Sequence, residues 1–171
     1  MAQRVLLAIF LGLAAGQAGC AALEGLRGLI QPPQFSEADG QPAEIRLLSP
    51  GQGAGPLGGA AIRIYARVRN PNPFGFTLRT LRGSLFLEGG RAAEADFPLG
   101  LALAAGGDDV IPLDLRVSFA DIPGLADAIR RAVSGQALDY RLDGTVGVDA
   151  GQWGTPTFGP MTLLTGELRT R

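Results

Sequence analysis

The chain has 171 residues, of which 46% are hydrophobic, and its 15 basic and 16 acidic residues give a formal net charge of −1. This length allows one ordinary domain with its own core, and the balanced charge argues against nucleic acid as a partner. Every basic residue is an arginine, so histidine bases, lysine nucleophiles and the usual zinc sites are excluded, and only carboxylate chemistry stays open. We therefore expect no catalytic residue, no cofactor and no metal.

The first 19 residues have the parts of an export signal. Arg4 gives a short basic start, residues 5–15 are apolar, and small residues follow. The one cysteine, Cys20, ends this segment and resembles the lipidated cysteine of bacterial lipoproteins, although Gln17 stands where leucine is usual. We predict a signal peptide at 1–19 and a lipid anchor on Cys20. The alternative is an ordinary secretory signal in which Cys20 is incidental.

Residues 20–41 are predicted to be a tether between the anchor and the domain. The segment contains Pro32 and Pro33 and then a mixture of polar residues and glycine, which is typical of a flexible linker. The anchor implies an exported protein held in the cell envelope. Ala21 after the cysteine favours an outer membrane, with the domain facing the periplasm.

From residue 42 to 171 the pattern is that of a β-domain. Ile62, Ile64, Ala66 and Val68 alternate with polar residues, which indicates a half-buried antiparallel strand. Similar stretches bring the prediction to about seven strands: residues 44–49, 60–70, 76–89, 91–99, 109–119, 138–149 and 157–170. This number is typical of a Greek-key β-sandwich of the fibronectin III or immunoglobulin kind.

One segment has helical instead of strand periodicity. In residues 121–135, Leu125, Ile129 and Val133 recur every four residues, with Asp121 as a candidate N-cap and Gly135 as a candidate C-terminal residue. We predict a single amphipathic α-helix between the fifth and sixth predicted strands. Its apolar side would cover one end of the sandwich.

The sequence after the strand at 60–70 carries a short motif. Asn70, Pro71 and Asn72 form an Asn-Pro-Asn motif, followed by Pro73, and it stands in the same order of elements as in the water stress and hypersensitive response (WHy) domain, which the chain resembles. That domain belongs to the type 2 late embryogenesis abundant family, and the resemblance implies a β-sandwich with one helix. Because the prolines restrict the backbone and the asparagines can bond to nearby backbone groups, we expect a structural corner, with a ligand site as the alternative.

The outward face of the same strand is the strongest candidate binding surface. Arg63, Tyr65, Arg67 and Arg69 would form a cationic and aromatic row that could bind phosphate or sulfate groups. Cross-strand pairing of these arginines with acids is the alternative. The acidic pairs Glu94 and Asp96, and Asp108 and Asp109, lie in no recognised catalytic or calcium-binding frame.

The resemblance implies a non-enzymatic lipoprotein with a role in desiccation or water-stress protection. Protection would come from stoichiometric binding to client proteins or membranes, since a well-folded domain does not act through disorder. The alternative function is a carrier of lipid or another apolar ligand in the envelope. An apolar cavity open to solvent would support the carrier, and a filled core would oppose it.

Overall fold

The computed structural model describes residues 30–52, 55–120 and 134–170, together with Ala128 and Arg131. Within these residues there are eight β-strands and a short 3-10 helix. The strands are β1 Gln34–Glu37, β2 Ala43–Leu48, β3 Gly59–Arg69, β4 Phe76–Leu87, β5 Gly90–Leu103, β6 Asp108–Ser118, β7 Leu138–Asp149 and β8 Thr157–Thr170, and the 3-10 helix is Gly151–Trp153.

Strand β3 organises one half of the hydrogen-bonded sheet. β6 pairs with it in antiparallel fashion from Gly59 to Arg69, while β1 and β2 pair with successive parts of its other edge. The other half is formed by β8, β7, β4 and β5, also antiparallel neighbours. A short parallel pairing between β2 and β8 joins the two halves, so that all eight strands belong to one sheet.

The inward residues of both halves meet in a single hydrophobic core. The alternation predicted for β3 is confirmed, because Ile62, Ile64, Ala66 and Val68 are each at most 1% exposed. The inward residues predicted for β7, from Leu138 to Val148, are buried as well. The protein is therefore mostly β and sandwich-like, as predicted, whereas the Greek-key connectivity stays a prediction.

The centre of the described core consists mainly of large apolar side chains. Large residues such as Leu78, Leu81, Leu113 and Leu142 are fully buried and belong to the same cluster. Close packing of this kind is what an ordinary protein interior requires. The role as a carrier of lipid or another apolar ligand stays a prediction.

Strand β1 lies inside the segment 20–41 that the sequence predicts to be a tether. Its four residues pair with Arg69, Val68, Arg67 and Ala66 of β3, and Ile30 before it is buried in the core. The strand count is thus eight instead of about seven, and folded structure begins before Pro42. The prediction missed β1 because four mostly polar residues carry no readable alternation, and only the edge of β3 specifies the pairing.

The predicted helix at 121–135 lies almost wholly outside the described residues. Ala128 and Arg131 have helical conformation, and Ala128 is buried in the core cluster. The helix and its capping residues, Asp121 and Gly135, stay a prediction.

Candidate functional site

The Asn-Pro-Asn motif forms the corner between β3 and β4. Asn70 and Asn72 are the only two asparagines of the chain, and both are buried, at 0% and 1% exposure. They are also the only polar residues among the buried ones of the described chain. Since a buried amide is costly unless its hydrogen bonds are made, the partners of these side chains decide what the motif does.

The Asn70 side chain bonds to two separate parts of the chain. Its Nδ2 donates to the carbonyl of Phe74 at 2.8 Å and to that of Ala104 at 2.9 Å, with a longer contact of 3.4 Å to the carbonyl of Leu103. Its Oδ1 accepts from the backbone N–H and the Nδ2 of Asn72, at 2.9 and 3.0 Å. Asn70 therefore joins the β3–β4 corner to the end of β5.

The Asn72 side chain holds the N-terminal segment. Its Oδ1 accepts from the backbone N–H of Gln31 at 2.8 Å, and its Nδ2 donates to the carbonyl of the same residue at 2.9 Å. The Asn72 carbonyl also accepts from the N–H of Gly106, at 3.1 Å, in the turn between β5 and β6. Three stretches of chain that are distant in sequence thus meet at this corner.

Aromatic side chains fix the corner from the other side. Phe76, at the start of β4, is buried in the core, and the Phe74 ring stacks on Trp153 with ring centroids 5.6 Å apart. Because the amide groups of both asparagines are engaged by the chain's own backbone, this geometry suits the structural corner that the sequence predicts better than a ligand site.

The predicted cationic row on β3 lies on the outward face of the sheet, but its first arginine is engaged. Asp114 of β6 is directly opposite Arg63, and the carboxylate accepts from Nε at 2.6 Å and from a second guanidinium nitrogen at 3.0 Å. This bidentate pair, with a further contact to Tyr65, raises the pKa of Arg63 above its ordinary value and lowers that of Asp114. Both side chains are at least half exposed, so the pair contributes little to stability.

Arg67 is also paired with acids. Its guanidinium lies 2.6 Å from the carboxylate of Asp108 and 3.6 Å from that of Asp39. Arg69 is exposed at the end of β3 and forms no ion pair with the residues that the structure describes. Two of the four residues in the predicted binding row therefore have the cross-strand partners that the sequence analysis gave as the alternative, and binding by the row stays a prediction.

Three of the four acids considered for catalysis or calcium binding contact arginines, and the fourth, Asp109, accepts from the backbone N–H of Val110. Glu94 contacts Arg91, and Asp96 lies 2.8 Å from Arg82. Among the described residues there is no group of three or more acids or cysteines that could hold a metal ion. Nor does the described chain contain a helix with the length and hydropathy of a membrane span. Cys20 lies outside the described residues.

A buried tyrosine makes a contact that the sequence did not predict. Tyr140 of β7 is 3% exposed, and its hydroxyl donates to Oε1 of Glu37 in β1 at 2.6 Å. Glu37 passes directly over Gly166 of β8, where any side chain would collide with the carboxylate. No local pattern could reveal this contact, because 103 residues separate the two partners.

We predict that Tyr140→Phe makes the protein less sensitive to alkaline pH. Burial, and then the bond to Glu37, raise the pKa of Tyr140 above its ordinary value of 10.0, so the folded state keeps the proton. As the pH rises above 10, the Tyr140 hydroxyl ionises in the unfolded chain but not in the folded one. The free energy of unfolding of the wild type should therefore fall by about 1.4 kcal/mol per pH unit relative to that of the variant. At neutral pH the variant should instead be less stable by about 1 to 2 kcal/mol. Chemical unfolding at pH 7 to 11.5 measures both effects, and parallel curves for the two proteins would contradict the prediction.

The sequence matches the LEA_2 family, described as late embryogenesis abundant protein, over residues 65–162, which is more than half of the chain. The chain belongs to the LEA_2 family. Tyr65, Arg67, Arg69 and the whole motif at 70–73 lie inside the matched range, whereas Arg63 and Cys20 lie outside it. None of the curated proteins matches this LEA_2 chain.

One of the solved structures that share the fold is that of a plant protein. The solution structure of AT1g01470 from Arabidopsis thaliana superposes on this LEA_2 protein with a TM-score of 0.58 at 17% identity, covering 83% of this chain and 85% of that one. The solution structure of a putative late embryogenesis abundant protein, At2g46140.1, has a TM-score of 0.49 at 17% identity. The match covers 90% of this chain and 84% of that one. At these identities the first likeness shows a shared fold and nothing further.

Proposed function

We propose that this LEA_2 protein is a non-enzymatic envelope lipoprotein that protects client proteins or membranes during water loss by stoichiometric contact. Membership of the late embryogenesis abundant family is the observation that carries the proposal. The ordered β-fold further favours contact through a folded surface over shielding by a disordered chain.

The available chemistry supports a binding role over turnover. The chain has no histidine and no lysine, and the acids that could have acted as a carboxylate pair are bonded to arginines. Glu94 and Asp96 are exposed and paired with Arg91 and Arg82, so neither is the buried carboxyl group that general acid catalysis commonly uses.

Protection of a client enzyme during drying tests the proposal. The purified protein should preserve the activity of a drying-sensitive enzyme in proportion to their molar ratio, and a chelator should leave this protection unchanged. A soluble form should keep Ile30 and β1, because these belong to the folded domain. Serum albumin at equal mass is the control for general crowding. Full protection at strongly substoichiometric amounts would contradict a stoichiometric mechanism.

The membrane anchor is proposed on the sequence of the N-terminus. If Cys20 is lipidated, the mature protein should begin at Cys20 and carry the mass of the attached acyl chains, and Cys20→Ala should move it from the membrane fraction to the soluble fraction. Intact mass spectrometry measures this directly, and an unacylated mature N-terminus at another residue would contradict the anchor.

A further inference from the structure

A second group of arginines lies on the same outward face, near the opposite end of β3 from Asn70. The register of the sheet places Ala61 of β3 directly between Arg46 of β2 and Arg116 of β6. Neighbouring strands are about 4.8 Å apart, so the two arginines flank a small side chain across roughly 10 Å. Both side chains are exposed.

Unlike Arg63 and Arg67, these two arginines have no acidic partner among the residues that the structure describes. Neither forms an ion pair or a hydrogen bond through its side chain with any residue that the structure describes. Ala61 leaves a hollow between them, and Arg46, Ala61 and Arg116 line two adjoining cavities of about 500 and 320 Å³. The hollow therefore offers space as well as two unused guanidinium groups.

We propose that Arg46 and Arg116 form a binding site for a phosphate or sulfate group. A guanidinium presents parallel N–H donors that match two oxygens of such an anion, and two guanidiniums can approach it from opposite sides. Two like charges on either side of one small residue repel each other, and a bound anion would offset that repulsion. The site does not depend on the protective role proposed above.

The neighbouring charges allow an anion to bind. Glu44, Arg63 and Asp114 form the next row across the same three strands, and the Asp114 carboxylate is already bonded to Arg63. The two rows together hold three arginines and two acids, so the local charge is positive. Leu47 and Leu57, two of the exposed large apolar residues, lie on the chain close to this end of β3, at 42% and 66% exposure. A phosphate on a lipid headgroup is therefore one source of the anion, and free phosphate is the other.

Two arms of one experiment, both on the full chain, distinguish these sources. The first measures the thermal unfolding midpoint in inorganic phosphate against chloride at equal ionic strength. The second measures binding to vesicles of phosphatidylcholine with and without phosphatidylglycerol. The variants are Arg46→Gln with Arg116→Gln, which removes the donors, and Ala61→Leu, which fills the hollow and keeps the charge. Arg79→Gln with Arg82→Gln is the control, since it removes two exposed arginines of β4, in the other half of the sheet.

We expect phosphate at ten times its dissociation constant to raise the midpoint of the wild type and the control by about 3 to 5 °C. The two site variants should show no rise. If only the vesicle measurement separates the proteins, with binding by the wild type and the control but not by the two site variants, the site is supported with a lipid headgroup as its ligand. An equal response of all the variants in both arms, or no response of the wild type in either, would overturn the proposal.

Discussion

Replacing Asn70 by alanine should lower the free energy of unfolding by about 3 to 4 kcal/mol. The truncation leaves the partly buried carbonyls of Phe74 and Ala104 and the buried N–H of Asn72 without their partner, and an unsatisfied buried group costs about 1 to 3 kcal/mol. The β3–β4 corner and the end of β5 would then be held together by backbone hydrogen bonds and strand pairing without the Asn70 side chain. Urea unfolding at neutral pH measures the change.

Asn72→Ala is the matched comparison for Asn70→Ala. It removes the same functional group two residues away, but its side chain mainly holds Gln31 in the N-terminal segment. We expect a smaller loss of global stability together with faster amide exchange at Gln31. If the free energy of unfolding of Asn70→Ala is within about 1 kcal/mol of that of the wild type, the motif is not the structural corner inferred from its hydrogen bonds. A binding role would then be the better explanation.

Gly144→Ala in β7 should destabilise the protein by about 3 kcal/mol or more. Gly144 lies directly opposite Gly83 of β4, and a Cβ on Gly144 would come within 2.2 Å of the Arg82 carbonyl oxygen and 2.9 Å of the Gly83 Cα. Both neighbours are backbone atoms of a strand paired on both edges, so they cannot rotate away as a flexible side chain would. The two strands would have to separate at this point.

Gly90→Ala is the control for this substitution. A Cβ at Gly90 would be 3.5 Å from the Leu87 carbonyl, which is ordinary van der Waals contact. The free energy of unfolding of the Gly90→Ala variant should therefore differ from that of the wild type by less than about 1 kcal/mol. Equal effects of the two substitutions in thermal unfolding would show that the loss comes from glycine's backbone freedom and not from the close approach of β4 and β7.

Local pattern was enough to predict much of the fold. The alternation in β3, β6 and β7 is readable because each strand has one face in the core and one in solvent, so that apolar and polar residues alternate. The motif at 70–73 is also visible in the local sequence, because its two Asn-Pro pairs interrupt the alternating pattern of the strand. Four-residue β1 was not found, because its place is specified by the edge of β3 and not by its own residues.

The candidate sites were harder to predict because they depend on register. Asp114 neutralises Arg63, and Arg46 and Arg116 flank Ala61, only because β2 and β6 pair with β3 at particular positions. A shift of two residues would keep every apolar side chain in the core and yet change all of these partners. Hydrophobic periodicity alone could therefore identify the cationic strand but could not say which of its cations are neutralised.

The bonds between Asn72 and Gln31 also determine where the N-terminal part of the chain joins the domain. The junction is at the Asn70 end of β3, and Ala61 is nine residues away, which corresponds to roughly 30 Å along a strand. The described N-terminal segment therefore joins the domain near one end of β3, while Arg46 and Arg116, which form no ion pair with the described residues, lie towards the other end. The number of residues in β3 therefore sets the separation between the point where Gln31 joins the domain and this pair of arginines.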